Sequence, residues 1–371
     1  MTQIYEQRMQ TLRTQLTTSS IDTALIVDPT NIYYLTGFYA EPHERFMALV
    51  LDVKDHNTLL FIPALDETAA KASAHVGTIH PISDEDDPFD ILNDNLPQGI
   101  GMMGIEMDHL SVARYHNLRR IMPTTQYEDV RPLIDQQRII KTSDEIDQLK
   151  DAVNIIEQVL EEGTAGIHQG MTESGLVAEL EYLMKKHGAL GPSFSTMVLS
   201  GAKSALPHGI PGDKVLREED FLLIDFGVIT KERYCSDITR TFIIGRASEK
   251  QKEIYDIVKA STRAGVDAVE AGAPLKNFDI AARKVIEDHG YGQYFNNRIG
   301  HGLGMEVHEA PSIHMENEAI AQKGMVFTIE PGIYIPGYGG VRIEEEVHID
   351  ENGKVELLTS FPRDLKVLEL K

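Results

Sequence analysis

The chain has one cysteine, Cys235, and no tryptophan among its 371 residues. A single cysteine excludes an intramolecular disulfide framework and fits a reducing compartment, so a cytoplasmic protein is expected. Basic residues are also scarce: 35 Lys and Arg stand against 58 Asp and Glu, a formal charge of −23. Nucleic-acid binding relies on Lys and Arg to neutralise phosphates, and no basic run occurs, which excludes nucleic-acid partners. No apolar run approaches the roughly 20 residues that span a bilayer, so no membrane partner is expected. The opening MTQIYEQRMQTLRTQL is interrupted by charges and Gln and reads as an amphipathic helix, not a secretory signal. Much of the acidity, as in SDEDDP (Ser83 to Pro88), reads as solvated loop.

What is present is a globular composition on a chain long enough for a large core and two domains. In the first part, DTALIVD, RFMALVLDV, NTLLFIP and IGMMGIE are short apolar runs bounded by turn residues and read as strands. Ala64 to His75 and Ser111 to Ile121 read as helices between them, which points to an α/β domain with a mixed sheet. The pattern changes near residues 130–142. Thr142 with Glu145 forms a capping-box signature, and Ile146, Leu149, Val153, Ile156 and Leu160 repeat at helical spacing behind it. The domain boundary is therefore expected just before this helix, giving domains 1–132 and 133–371. Further helices are expected from Thr172 to Gly188, from Ser248 with Gln251 as a second capping box, and from about Phe278 to His289. The later strand candidates are SFSTMVLSG, DFLLIDFGVI, YCSDITRTFII, MVFTIEPGIYI and VRIEEEVHID. Helices and strands come in clusters here, which favours α+β, with antiparallel strands covered on one face by helices.

Five residues of metal-ligand type sit in segments that aim them: Asp225, Asp237, His301, Glu330 and Glu344. Asp225 closes the apolar run FLLID, and Asp237 opens ITRTFII after a turn-like GVITKERY. Two antiparallel strands would bring these carboxylates side by side, where each raises the other's pKa unless a cation lies between them. Turn hydrogen bonds at two strand ends are the competing explanation. Glu330 follows MVFTI, Glu344 follows VRI, and the Gly- and Pro-rich PGIYIPGYGG joins them as a hairpin. A charge at the end of a buried strand needs a counter-charge. Arg342 could supply one as a simple ion pair. His301 lies among glycines in IGHGLGMEVHEAP, with His308 seven residues on and His208 upstream in ALPHGIPG. Taken singly, a histidine is more often structural than a ligand. Oxygen-rich sets with one imidazole suit manganese, cobalt or zinc, whereas a structural zinc site would use Cys and His, and only one Cys exists.

ALPHG, LLIDFG, YCSDITRTF, GHGLGMEVHE, TIEPGIY and VRIEEE, in this order, resemble the pita-bread (M24) metallopeptidases. This is the family of Xaa-Pro dipeptidase (prolidase), aminopeptidase P and methionine aminopeptidase. The likeness covers the C-terminal ~230 residues. VDPTNIYYLTGF resembles the creatinase-type N-terminal domain that methionine aminopeptidases lack, and the length and GFYAEPHERF are most similar to bacterial prolidases. The resemblance implies a pita-bread domain behind a creatinase-like α/β domain, two divalent ions per subunit (manganese first, cobalt or zinc as alternatives), and a homodimer. It implies that Asp225 chelates one ion, Asp237 and Glu344 bridge both, and His301 and Glu330 hold the other. It makes Glu330 the proton shuttle and gives His208 and His308 to the substrate and the tetrahedral intermediate. Substrates would be small peptides with proline in second position.

A dipeptidase must also hold the product-side carboxylate. Arg298, three residues before His301, is placed for that, with Arg342 second. The loop with Glu41, His43 and Arg45 would cap a partner's site. Aminopeptidase P, acting on longer peptides, is the enzyme alternative, and a pita-bread binding module without chemistry is the third reading. Activity on organophosphate esters would be a side reaction. GIGMMG (Gly99 to Gly104) matches a dinucleotide fingerprint in form but leads into a strand instead of a helix, so it is set aside. Cys235 is expected to pack near the site without ligating. Met171, Met184, Met197 and Met325 are expected as core filler.

Overall fold

The computed structural model describes residues 2–371, and the chain divides into two compact units that part between Gln137 and Arg138. In the first unit β1 (Thr23–Ile26), β2 (Ala48–Asp52), β3 (Thr58–Pro63), β4 (Thr78–Ile82), β5 (Met102–Ile105) and β6 (Gln126–Asp129) form one sheet, ordered β4-β3-β2-β1-β5-β6. The β1–β2 and β2–β3 pairs are antiparallel and the other three are parallel, so the sheet is mixed, as the sequence suggests. The two edge strands, TIHPI and QYED, have no apolar alternation and are illegible from the sequence. The helices of this unit are α1 (Thr2–Thr18), α2 (Pro29–Thr36), α3 (Glu67–Ser73), α4 (Pro88–Asn95) and α5 (Val112–Ile121). The helix expected from Ala64 begins as a tight 3-10 turn and becomes α-helical only at Glu67. The chain then crosses into the second unit through α6 (Arg131–Ile139).

The second unit holds α7 (Ser143–Ala165), α8 (Glu173–Lys186), α9 (Glu249–Asp267) and α10 (Lys276–Asp288). The capping boxes form as expected. The Thr142 amide donates to Glu145 Oε2 at 2.9 Å, and the Ser248 amide donates to Gln251 Oε1 at 2.8 Å. The strands are β7 (Gly191–Pro192), β8 (Met197–Ser200), β9 (Phe221–Phe226), β10 (Val228–Ile229), β11 (Ile238–Ile244), β12 (Gly300–Gly302), β13 (Glu309–Ile313), β14 (Val326–Ile329), β15 (Gly332–Ile335), β16 (Gly339–Arg342), β17 (Glu345–Ile349), β18 (Val355–Leu357) and β19 (Val367–Leu368). They assemble into sheets ordered β19-β11-β9-β8 and β13-β12-β14-β17-β18, plus the pairs β7/β10 and β15/β16.

Side-chain alternation aims one face of the first of these sheets at helices. Leu222, Ile224 and Phe226 of β9, with Ile238, Phe242 and Ile244 of β11, pack with Ile156 and Leu160 of α7 and Leu176 and Leu180 of α8. The opposite face carries Asp225 and Thr239, which pair across β9 and β11.

Three runs that read as single strands are each broken in the structure. DFLLIDFGVI splits at Gly227, where an added Cβ would lie 1.9 Å from Ser236 O and 2.1 Å from Ser193 Oγ. MVFTIEPGIYI splits at Glu330–Pro331, and VRIEEEVHID splits at Ile343–Glu344. The latter two breaks face each other: Ile329 pairs with Glu345 in the larger sheet, whereas Gly332 pairs with Arg342 in the hairpin. Both sides of every break are buried, so the apolar pattern runs through while the hydrogen-bond partner changes.

Candidate metal centre

The breaks place the acids. Glu330 and Glu344 sit where the two arms of the β15/β16 hairpin leave the larger sheet, freed from the ladder and turned inward. Asp237 precedes β11 and shares the face of Thr239, beside Asp225. His301 is the middle residue of β12, pressed between β13 and β14. Its glycine neighbours are required there: an added Cβ at Gly300 would lie 1.8 Å from Thr328 O, and one at Gly302 would lie 2.2 Å from Ala310 O.

All five sequence-predicted ligands converge. Ligand atoms of Asp225, Asp237 and Glu344 lie within 4.8 Å of one another, and so do those of His301, Glu330 and Glu344. Asp237, His301 and His308 form a third such group. His301 Nε2 is 3.2 Å from Glu330 Oε1 and 3.6 Å from Asp237 Oδ2.

The electrostatics are those of a set with too many anions. Burial first, then the charges of Glu344 and Asp225, push the Asp237 carboxyl well above its usual range. Burial, then Glu330 and Asp225, do the same to Glu344. Asp225 is raised by burial, with Arg342 pulling the other way. Burial also lifts Glu330, but the hydrogen bond and charge of His301, together with Arg342, outweigh it, so Glu330 ends below its ordinary value. Asp237 Oδ1 and Glu344 Oε1 are buried with no hydrogen-bond partner among the described residues. Buried polar atoms are normally satisfied, and two orphaned carboxylate oxygens facing one cluster fit divalent cations.

Beside the cluster lies a cavity of about 780 Å³, lined by His208, His308, Arg298, Arg342, Tyr334 and Phe194 among others, all from the second unit. The His301 and His308 rings stand edge to face with centroids 4.1 Å apart. Shielding from water, then the charges of His301 and Arg298, hold His308 down at about 4. Arg298 is exposed and donates from Nη1 to Ser312 Oγ at 3.1 Å. Arg342, expected as a counter-ion or substrate contact, is buried and already engaged. It pairs with Asp225 through Nη2, donates to Tyr334 OH at 2.8 Å, and donates from Nε to Thr239 Oγ1 at 3.0 Å. Glu41 and His43 lie exposed on a loop of the first unit, His43 with a positive φ of 53°. Arg45, on the same loop, pairs with Asp84 at 2.8 Å. Cys235 is buried, its thiol pushed up by burial, and it donates to Met305 O at 3.4 Å.

Several residues around the centre escape the sequence reading. All three glutamates of VRIEEE are buried. Glu345 is paired with Arg240 at 2.9 Å, and Glu346 Oε1 accepts the Asp237 amide at 2.8 Å. Arg240 is itself buried and donates to the carbonyls of Glu344 and Phe361. Glu309, next to His308, is clamped by Arg138 at 2.5 Å and Lys141 at 2.6 Å, which hold its pKa down against burial. Their partners lie 105 to 171 residues away for Arg240 with Glu345 and Arg138 with Glu309, so no local signal reveals them.

Comparison with known proteins agrees with this geometry. The family model for metallopeptidase family M24 matches residues 147–351, and that for the creatinase/prolidase N-terminal domain matches residues 8–140. The chain is 40% identical over 364 residues to "Putative dipeptidase YkvY" of Bacillus subtilis, covering 97% of this chain and 99% of that protein. Among solved structures it resembles the Xaa-Pro dipeptidase from Bacillus anthracis, with a TM-score of 0.91, 33% identity, and coverage of 98% of this chain and 100% of that one. It also resembles the X-Pro aminopeptidase from Thermotoga maritima, with a TM-score of 0.85, 34% identity, and coverage of 94% and 98%.

Proposed function

The chain belongs to metallopeptidase family M24, and from that premise we propose that it hydrolyses Xaa-Pro bonds, foremost in dipeptides. The carrying observation is the convergence of Asp225, Asp237, His301, Glu330 and Glu344 beside a cavity that also presents His208 and His308. In this reading Asp225 would hold one divalent ion, His301 and Glu330 would hold a second, and Asp237 and Glu344 would serve both. Manganese is the first expectation, with cobalt and zinc next. Such ions, when bound, supply a hydroxide at neutral pH and polarise a carbonyl.

The chain's own groups do the rest. Glu330, kept charged by His301 and Arg342, takes a proton from the attacking water and returns it to the departing proline nitrogen. His308, neutral at physiological pH, and His208 on the facing loop donate hydrogen bonds to the scissile carbonyl oxygen as negative charge develops there. A bond to proline has no N–H to offer an ordinary peptidase site, which leaves room for a dedicated enzyme. Arg298, exposed at the cavity, takes the dipeptide carboxylate, whereas Arg342 orients Asp225. Arg298→Ala then raises KM for Ala-Pro about 10-fold, the scale of one lost charge-assisted contact, and narrows the preference for dipeptides over longer peptides. A homodimer in the cytoplasm completes the reading, with Glu41, His43 and Arg45 capping the partner's site. Light scattering is the check on the dimer.

The aminopeptidase alternative is favoured by the likeness to the Thermotoga maritima X-Pro aminopeptidase. Hydrolysis of Ala-Pro, Gly-Pro and Ala-Pro-Gly, after chelation and re-addition of manganese, cobalt or zinc, separates the readings. Dipeptide cleavage supports the proposal. Tripeptide cleavage alone makes the chain an aminopeptidase, and no cleavage with any metal leaves a binding module.

A further inference from the structure

One buried carboxylate grips both ends of the segment that carries His208. The segment runs from Gly201 to Gly212 as a strap along the cavity, and Pro207, His208, Gly209, Ile210 and Pro211 all line that cavity. Its first part, Gly201–Ala205, is a 3-10 turn with Gly201, Ser204 and Ala205 buried, and Ser204 Oγ accepts the Gly340 amide at 2.8 Å. Beyond it Leu206 and Ile210 are 53% and 81% exposed, so the stretch that carries His208 has little apolar packing of its own to fix it. Glu173, at the start of α8, is completely buried. Its Oε1 accepts the Ser200 amide at 2.8 Å and the Ser200 hydroxyl at 3.1 Å, where the strap begins. Its Oε2 accepts the Gly212 amide at 3.1 Å, where the strap ends, and Lys203 Nζ at 2.5 Å between them. The backbone reinforces the far end: the Glu173 amide donates to Lys214 O and the Ser174 amide to Gly212 O, each at 3.0 Å.

An acid at a helix N-terminus ordinarily serves its own helix. Here Thr172 already caps α8, accepting from the Gly175 amide at 3.0 Å, and among the described residues the four donors to the Glu173 carboxylate come from residues 200–212.

We propose that Glu173 is a positioning residue that fixes His208 over the metal centre by tying the two ends of the Gly201–Gly212 strap to one carboxylate. The inference rests on the substrate role given to His208 above. A carboxylate can accept at both oxygens, whereas an amide accepts at one only. Glu173→Gln therefore keeps the Ser200 end and turns an N–H₂ group toward the Gly212 amide and the Lys203 ammonium, where donors face donors. His208 is then free to shift by about an ångström, enough to cost about 100-fold in a catalytic step.

The test uses the full chain loaded with manganese, in wild type, Glu173→Gln, His208→Ala and the double variant. Hydrogen exchange over residues 201–212 and Ala-Pro hydrolysis are read together with bound metal. The expected result is faster exchange confined to the strap, kcat lowered by about 10- to 100-fold with KM little changed, and metal content unchanged. The double variant should be no slower than His208→Ala alone. Unchanged exchange, or a loss that multiplies fully with that of His208→Ala, overturns the proposal. If wild type cleaves no Xaa-Pro substrate, the function reading fails separately and exchange alone decides: confined loosening supports the grip, and none refutes it. If Glu173→Gln does not fold, Lys203→Met, which removes one of the four donors, carries the same exchange and turnover readings.

Discussion

Glu106 in the first unit and the acids of the metal centre in the second begin from the same local pattern. IGMMGIE ends in Glu106 as FLLID ends in Asp225, and each of these carboxylates is buried at the end of an apolar strand. Their surroundings differ. Glu106 accepts from the amides of Val27 at 2.6 Å and Asp28 at 2.7 Å and from Asn31 Nδ2 at 2.6 Å. Asp225 is paired with Arg342, but Asp237 and Glu344 each retain a buried oxygen that no group among the described residues satisfies. Burial of an acid is therefore no mark of chemistry in this molecule. What separates the two regions is unmet acceptor capacity, gathered from several chain segments onto one point.

The sharpest way to break the contrast is to neutralise one acid of the centre. Asp237→Asn should abolish turnover, by on the order of 10⁴-fold, the scale of losing one member of an interdependent catalytic set. The same change should raise the melting temperature of the metal-free protein, because one of several crowded buried charges is gone. Scanning calorimetry in a chelator reads this, and a lowered melting temperature would contradict the account. His308→Ala removes a neutral group from the cavity, so it should cost about 10²- to 10³-fold in kcat while metal content by elemental analysis stays at the wild-type level. Manganese at 100 times its Kd should stabilise wild type by about 2.7 kcal/mol and leave Asp237→Asn nearly unmoved, as thermal shift would report.

The smallest expected effect falls on the satisfied acid. Burial, and then the charge of Asp28, hold Glu106 up at about 7 against an ordinary value of 4.5, despite its hydrogen bonds. Below pH 4.5 folded and unfolded chains are both protonated. Between 4.5 and about 7 the unfolded chain releases a proton that the folded one keeps, so stability falls as pH rises through this window and levels off above it. Glu106→Gln should flatten that fall, on the order of 3 kcal/mol, with turnover unaffected. Exchange protection of the Val27 and Asp28 amides at pH 5 and pH 8 is the measurement. An unchanged slope would place the titration elsewhere.

Much of this was legible in the chain because its causes are local. The capping boxes at Thr142 and Ser248 need only three residues each, and the glycines around His301 announce a close approach that the backbone then makes. The five candidate ligands could be singled out because each stands beside an apolar run or among glycines, and the structure brings them together. The joints at Gly227, Glu330–Pro331 and Ile343–Glu344 were not, since apolar periodicity continues across a change of strand partner. Nor was the burial of Glu345 and Glu346. The groups that donate to them, Arg240 and the Asp237 amide, lie more than a hundred residues away and are brought there only by the fold.

The facing joints at Glu330–Pro331 and Ile343–Glu344 also divide the hairpin beyond them from the sheet behind them. Strand register on the far side is set by the Gly332–Arg342 pairing and on the near side by Ile329–Glu345, so neither ladder dictates the other. The turn at the hairpin's tip, where Gly337 has a φ of 77°, can lengthen or shorten without sliding either carboxylate. A lineage, or an engineer, can reshape the wall that carries Tyr334 by insertion at that tip, while an insertion of one residue beside Pro331 would rotate Glu330 out of reach.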